Sequence, residues 1–125
     1  WFQKLKLLNS LICDCCQQYY LPSLNVTMDE MMTRFGGRSH HTYCMLSKPI
    51  TEGYKVFTLC NIGYTYNWIF VSHSDFFINL VLQPDLTLTD SAVFQLAAAL
   101  PYSPSLYFNI YMDNYFLSIA LLERL

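Results

Sequence analysis

The sequence predicts an α/β domain with a mixed sheet in the order β-β-β-α-β-α, preceded by a helix. Three observations lead there. Two runs of β-branched and aromatic residues, 54–59 and 64–71, flank Asn61-Ile62-Gly63, a short turn that makes them a hairpin. A near-continuous apolar run, 106–112, lies between two stretches of helical character, the pattern of a strand buried on both faces. Asp29 and Asp113 each close an apolar, strand-like run, so a rigid element presents each carboxylate at its tip.

The elements follow in order along the chain. Phe2, Leu5, Leu8, Leu11, Ile12 and Cys15 recur at helical spacing and give an amphipathic helix over 2–20, closed by Pro22 and Ser23. Residues 24–28 read as a short strand with Asp29 at its end. Glu30 points to the opposite face if the pleat continues. Residues 33–52 are polar, with Gly36-Gly37, His40-His41 and Pro49, and read as a long loop or an excursion between strands. Between 72 and 84, Phe76, Phe77, Ile78, Leu80, Val81 and Leu82 fit either a short helix or a packed loop. Residues 89–100 form a helix capped by Thr89 or Asp90, buried along Ala92, Val93, Leu96, Ala97 and Leu100, and stopped by Pro101. Another helix begins at Ser118. The expected division is an N-terminal helical segment, 1–23, and a core, 24–125.

Composition narrows the function classes. At 125 residues, 54% hydrophobic and 13% charged, the chain has ample material for one core and too little charge for disorder. So apolar a small domain is expected to leave hydrophobic surface exposed. No uninterrupted apolar run approaches the roughly 18 residues of a membrane span. The Lys4-Leu5-Lys6-Leu7-Leu8 start is broken by Asn9, Ser10 and Asp14, unlike a signal peptide. A chain beginning at Trp1 is expected to be part of a longer protein. Cys13, Cys15, Cys16, Cys44 and Cys60 offer no second paired spacing to complete a zinc site, so reduced intracellular thiols are expected. The net charge of −2 advertises no nucleic-acid footprint, yet after Lys55 the only Lys or Arg is Arg124. Any phosphate contact must come from the first half.

The residues around the two aspartates carry a resemblance. Thr27-x-Asp29-Glu30-x-Met32-x-x-Phe35-x-Gly37-Arg38-Ser39, then Lys48-Pro49-Ile50-x-x-Gly53-Tyr54-Lys55-Val56, and later Asp113-Asn114-Tyr115-Phe116-x-Ser118, resemble the signature of piggyBac-type transposases. Gly37-Arg38-Ser39-His40-His41-Thr42-Tyr43 and Glu52-Gly53-Tyr54-Lys55 are most similar to fungal members. The resemblance spans about residues 18–125. It implies a ribonuclease-H-like mixed sheet, incomplete on its C-terminal side. It also implies DNA transposition by three aspartates holding two divalent metals, Mg²⁺ or Mn²⁺, with Asp29 as first and Asp113 as second ligand. The third falls downstream of Leu125. Transposon-end DNA, a homodimer and a nuclear location follow from the same resemblance, with no membrane partner.

Taken alone, an Asp after a strand is usually a turn former; the flanking motifs turn both residues into metal-ligand candidates. Asp113 has a second possible role as a helix N-cap. Arg38, Lys48 and Lys55 are the DNA-contact candidates, because Arg and Lys supply most sequence-independent phosphate contacts. His40 and His41 fit exposed loop histidines better than ligands. Tyr19, Tyr20, Phe57, Trp68 and Phe70 fit the core better than a base-stacking platform. Departures from relatives include Gly36 for a common Lys, Leu46-Ser47 for a basic or proline-rich stretch, Asn61 for Asp, and Leu117 for Thr or Ser. The expected function is a transposase catalytic-core fragment, inactive alone. The alternatives are a non-catalytic domesticated module that binds DNA or protein, and the product of a decayed element.

Overall fold

The structure, a computed structural model, describes residues 2–72, 76–77 and 80–125. Its elements are α1 (Gln3–Tyr19), β1 (Asn25–Arg34), β2 (Tyr43–Cys44), β3 (Glu52–Asn61), β4 (Tyr64–Ser72), β5 (Phe76–Phe77), α2 (Leu88–Ala97), β6 (Asn109–Tyr111) and α3 (Ile119–Leu122). The sheet runs β5-β4-β3-β1-β6, with β2 pairing β3 off that path. β1 is antiparallel to β3 and parallel to β6. This mixed sheet is the one expected, and two short strands, β2 and β5, are additions. Phe76 and Phe77 pair with β4 as β5, while Leu80, Val81 and Leu82 lie in a loop, one of the two expected readings. Ile78, read as part of that segment, lies outside the described residues.

Alternation along the strands separates the two faces of the sheet. Trp68 and Phe70 face α1: the Trp68 indole donates to Asn9 Oδ1 at 2.8 Å, and Phe70 meets the Phe2 ring at 5.4 Å. Ile69 and Val71 point the other way and join Val26, Met28, Phe57, Leu59, Val93, Leu96, Phe116 and Leu121 in the core. β3 is buried along most of its length and has strands on both its edges. Phe57 and Trp68 thus lie inside the fold as expected, and Tyr20 stacks on Tyr64 at 4.1 Å. Tyr19 is exposed instead.

Several boundaries differ from the sequence reading. β1 does not stop before Asp29 but continues five residues beyond it to Arg34, because Met32 buries on the same face as Val26 and Met28. α1 turns its apolar stripe outward: Leu5, Leu7, Leu8, Leu11 and Ile12 are exposed, and no residue of the helix is buried. The polar side, through Asn9 and the carbonyl of Cys16, makes the contacts with β4. α2 starts one residue early. Thr87 is its cap, and Asp90 returns a bond to the Thr87 amide, closing a capping box. The run 106–112 yields only the three-residue β6, paired with β1 on one edge, while Tyr107 and Tyr111 are exposed.

The hairpin turn and its neighbour Asn61 fix β3 against β4. Ile62 (φ 48°) and Gly63 (φ 77°) are both left-handed, as a two-residue turn between twisted strands demands. Glycine adopts that conformation readily and a β-branched residue does not. Asn61 is 1% exposed and makes four hydrogen bonds. Its Oδ1 accepts from the Tyr20 hydroxyl and the Ser23 amide, and its Nδ2 donates to Ser23 Oγ and the Asn25 carbonyl. An aspartate here has no donor for the last two.

Two substitutions follow. Ile62→Asn relieves the left-handed strain at an exposed position and raises unfolding stability by about 1 kcal/mol in urea denaturation. Asn61→Asp removes two donors from a buried hub and sets a carboxylate against the Asn25 carbonyl. The same measurement should show a loss of roughly 2 kcal/mol.

Candidate active site

Asp29 lies near the middle of β1, with Thr27 and Met31 on its face. Its cross-strand partner on β3 is Thr58. The buried Thr58 hydroxyl donates to the Asp29 carbonyl at 3.1 Å, which fixes the main chain under the carboxylate. The carboxylate is exposed, and Oδ1 accepts the Glu30 amide at 2.7 Å.

β6 brings the second acid alongside. Its parallel register sets Asn25 against Asn109, Val26 against Ile110 and Thr27 against Tyr111. Two residues past the last pair stand Asp29, still within β1, and Asp113, in the turn that follows β6. Asp113 caps no helix: Ser118 accepts the Leu121 amide at the start of α3. Asp113 Oδ1 instead accepts the Tyr115 amide at 2.9 Å, and its carbonyl accepts the Phe116 amide at 3.1 Å. Each aspartate therefore commits one oxygen to a backbone amide. Among the described residues, no group of three or more His, Cys, Asp or Glu converges as a metal site.

On the opposite face Glu30 binds two lysines. Lys55 Nζ lies 2.7 Å from Oε2 and Lys48 Nζ 3.4 Å from Oε1. Lys55 is 8% exposed and also sits over two rings, 5.3 Å from the centroid of Phe57 and 4.9 Å from that of Tyr115. Burial pushes the Glu30 carboxyl up, but the hydrogen bond and charge of Lys55, together with Lys48, outweigh it and hold the group below the ordinary glutamate range. Lys55 thus spends its charge inside the protein, away from any phosphate outside it. Lys48 is half-buried, and with Asp29, Met31, Pro49 and Ile50 it borders a cleft of about 420 Å³. Arg38 is exposed beside a smaller cleft with Ser39, His40 and Thr42.

His40 is exposed, whereas His41 Nδ1 lies 2.7 Å from Oγ of the buried Ser72 and helps tie the 33–52 loop to β4. Burial pushes the Cys13 thiol up to about 11, which disfavours the thiolate a metal requires. The sequence reading missed Thr58, Tyr115 and the binding of Lys55 by Glu30. Lys55 had a visible signal: with Phe57 and Leu59 it forms a period-two apolar face, where a lysine needs a buried anion.

A mixed sheet whose central strand carries one carboxylate, with a parallel neighbour leading to a second, is consistent with a ribonuclease-H-like transposase core. The chain belongs to the family described as Transposase IS4, whose pattern matches residues 2–125. It is similar to the piggyBac transposase in the cryo-EM structure of the piggyBac transposase synaptic complex with hairpin DNA, with a TM-score of 0.81 and 26% identity. That likeness covers 99% of this chain and 25% of the other, so the chain spans a quarter of the length of the transposase it matches. Fold and family together make it a piggyBac-type fragment of a DNA transposase core. No curated protein matches it.

Because the folded-state pKa of Glu30 is depressed, its pairing stabilises the fold above the ordinary glutamate range and is lost as pH falls through the depressed value. Glu30→Gln leaves Lys55 buried without an anion. It should cost roughly 3 kcal/mol at pH 7, with the gap to wild type closing below about pH 4 in denaturation at several pH values.

Proposed function

We propose that Asp29 and Asp113 are the first two metal-ligating carboxylates of a core that cuts and joins DNA at transposon ends. The β1–β6 pairing, which runs to two residues before Asp29 and Asp113, carries this reading. The donor set fits the ion: both residues are exposed carboxylates with one oxygen held by a backbone amide, and hard oxygen donors suit Mg²⁺ or Mn²⁺. Bound there, divalent ions supply activation of the attacking oxygen and neutralisation of the leaving one.

The chain's own residues provide positioning. Thr58 anchors the main chain at Asp29, and the 115 amide orients the Asp113 carboxylate. Arg38 and, at the cleft beside Asp29, Lys48 are the DNA-contact residues. Lys55, engaged internally by Glu30, is not among them. With two ligands, the chain alone holds metal weakly and does not cut DNA. Action on transposon ends implies work in the nucleus, and the intact enzyme acts as a homodimer. The unit doing this is residues 24–125, with 1–23 as an appended helical segment.

Mn²⁺ uptake followed by electron paramagnetic resonance tests the site. Wild-type protein should take up the ion weakly, and Asp29→Asn or Asp113→Asn should each abolish uptake. Equal uptake by all three proteins would refute the assignment. In fluorescence anisotropy with duplex DNA, Arg38→Ala should weaken binding and lower the salt slope by about 1. DNA binding in a protein that takes up no Mn²⁺ would favour a non-catalytic binding module.

A further inference from the structure

Of the groups in the interior, Lys55 is the least explained by stability. Burying an ion pair gains little over well-packed apolar residues, because desolvation offsets the attraction. Methionine at position 55 would cover Phe57 without needing an anion. What the lysine adds is a set of simultaneous contacts. Its ammonium lies 2.7 Å from Glu30 Oε2 and 4.9 Å from the Tyr115 ring. Glu30 directly follows Asp29, and the Tyr115 amide donates to Asp113 Oδ1. One buried cation therefore touches a near neighbour of each aspartate, from the sheet face opposite the carboxylates.

The rings complete the connection. Phe57, on β3 beside Lys55, meets Phe116 at 5.0 Å and Tyr115 at 6.2 Å, both edge-on. Tyr115 and Phe116 meet each other at 5.1 Å. The 113–116 turn follows the short strand β6 and has no strand partner of its own among the described residues, so side-chain contacts must fix its position. A cation over a ring is directional enough to do so.

We propose that Lys55 is a positioning residue for the Asp29–Asp113 pair, holding β1 through Glu30 and the 113–116 turn through Tyr115. The purpose assigned to the clamp rests on reading the pair as metal ligands, but the clamp itself belongs to the metal-free protein. Lys48 is the internal control. It lies 3.4 Å from the other oxygen of Glu30, whereas the cation over the Tyr115 ring is Lys55.

The test compares wild type, Lys55→Met and Lys48→Met by amide hydrogen exchange in metal-free protein, alongside Mn²⁺ affinity. Lys55→Met should speed exchange of the 115 and 116 amides roughly tenfold, the scale expected when one coupling between contacting residues is lost. Amides in the middle of β3 and β4 should be unchanged, and Lys48→Met should leave 115 and 116 at wild-type rates. Mn²⁺ affinity should fall by a similar factor in Lys55→Met. Wild-type exchange at 115 and 116 in a folded Lys55→Met protein overturns the clamp, as does equal acceleration across the whole sheet. If Lys55→Met does not fold, Tyr115→Leu removes the ring without unpairing Glu30, and unchanged exchange at positions 115 and 116 overturns the proposal equally. If wild type takes up no Mn²⁺, the metal-site reading falls, while the exchange measurement still decides the clamp.

Discussion

Everything in this molecule is referred to β1, which is hydrogen-bonded to β3 on one edge and to β6 on the other. Its antiparallel ladder with β3 covers Thr27 to Arg34, and its parallel ladder with β6 covers Asn25 to Thr27. The side-chain period of two then dictates the rest. Val26, Met28 and Met32 must go into the core, so Asp29 must go to the other face and Glu30 must turn inward. A slip of one residue would bury Asp29 and expose the core set. The position of the candidate ligand is therefore held by the hydrophobic burial of its neighbours.

The inward turn of Glu30 creates an electrostatic demand that the fold meets locally. A carboxylate on a core-facing position needs partners, and Lys55 and Lys48 supply them from β3 and from the loop before it. This accounts for the unusual charge layout. Two of the six Lys and Arg in the first half of the chain, Lys48 and Lys55, are paired with Glu30. Among the DNA-contact candidates, Arg38 is left as the exposed cation.

The two sides of the sheet are finished differently. Above β4, α1 is held by polar contacts through Asn9 and Cys16, leaving its leucines outward. On the other face, α2 and the 113–116 turn close over the apolar core, with the Lys55–Glu30 pair buried on the same face. Amphipathic periodicity in 2–20 was legible, but it could not say which side faces the sheet. The sheet offers an indole N–H and a tyrosine hydroxyl at that place, and these select the polar side of the helix. The same limit applies to 106–112, whose apolar run reads as a central strand. Only three residues pair, because β6 has β1 on one edge and no partner on the other among the described residues.

By itself the sequence determined the order of elements, the hairpin at Asn61-Ile62-Gly63, the helix around Val93 and Leu96, and the family resemblance carried by the motifs around Asp29 and Asp113. These are local facts: periodicity, turn chemistry and capping act over a few residues. Tertiary structure decided what depends on register between distant segments. It paired β6 with β1 up to two residues before Asp113 and Asp29, across more than half the chain, drew Lys55 inward onto Glu30, and made Asn61 the tie between the 20–25 loop and β3. No local pattern encodes which residue stands opposite which, because ladder pairing is fixed only when the whole core closes at once.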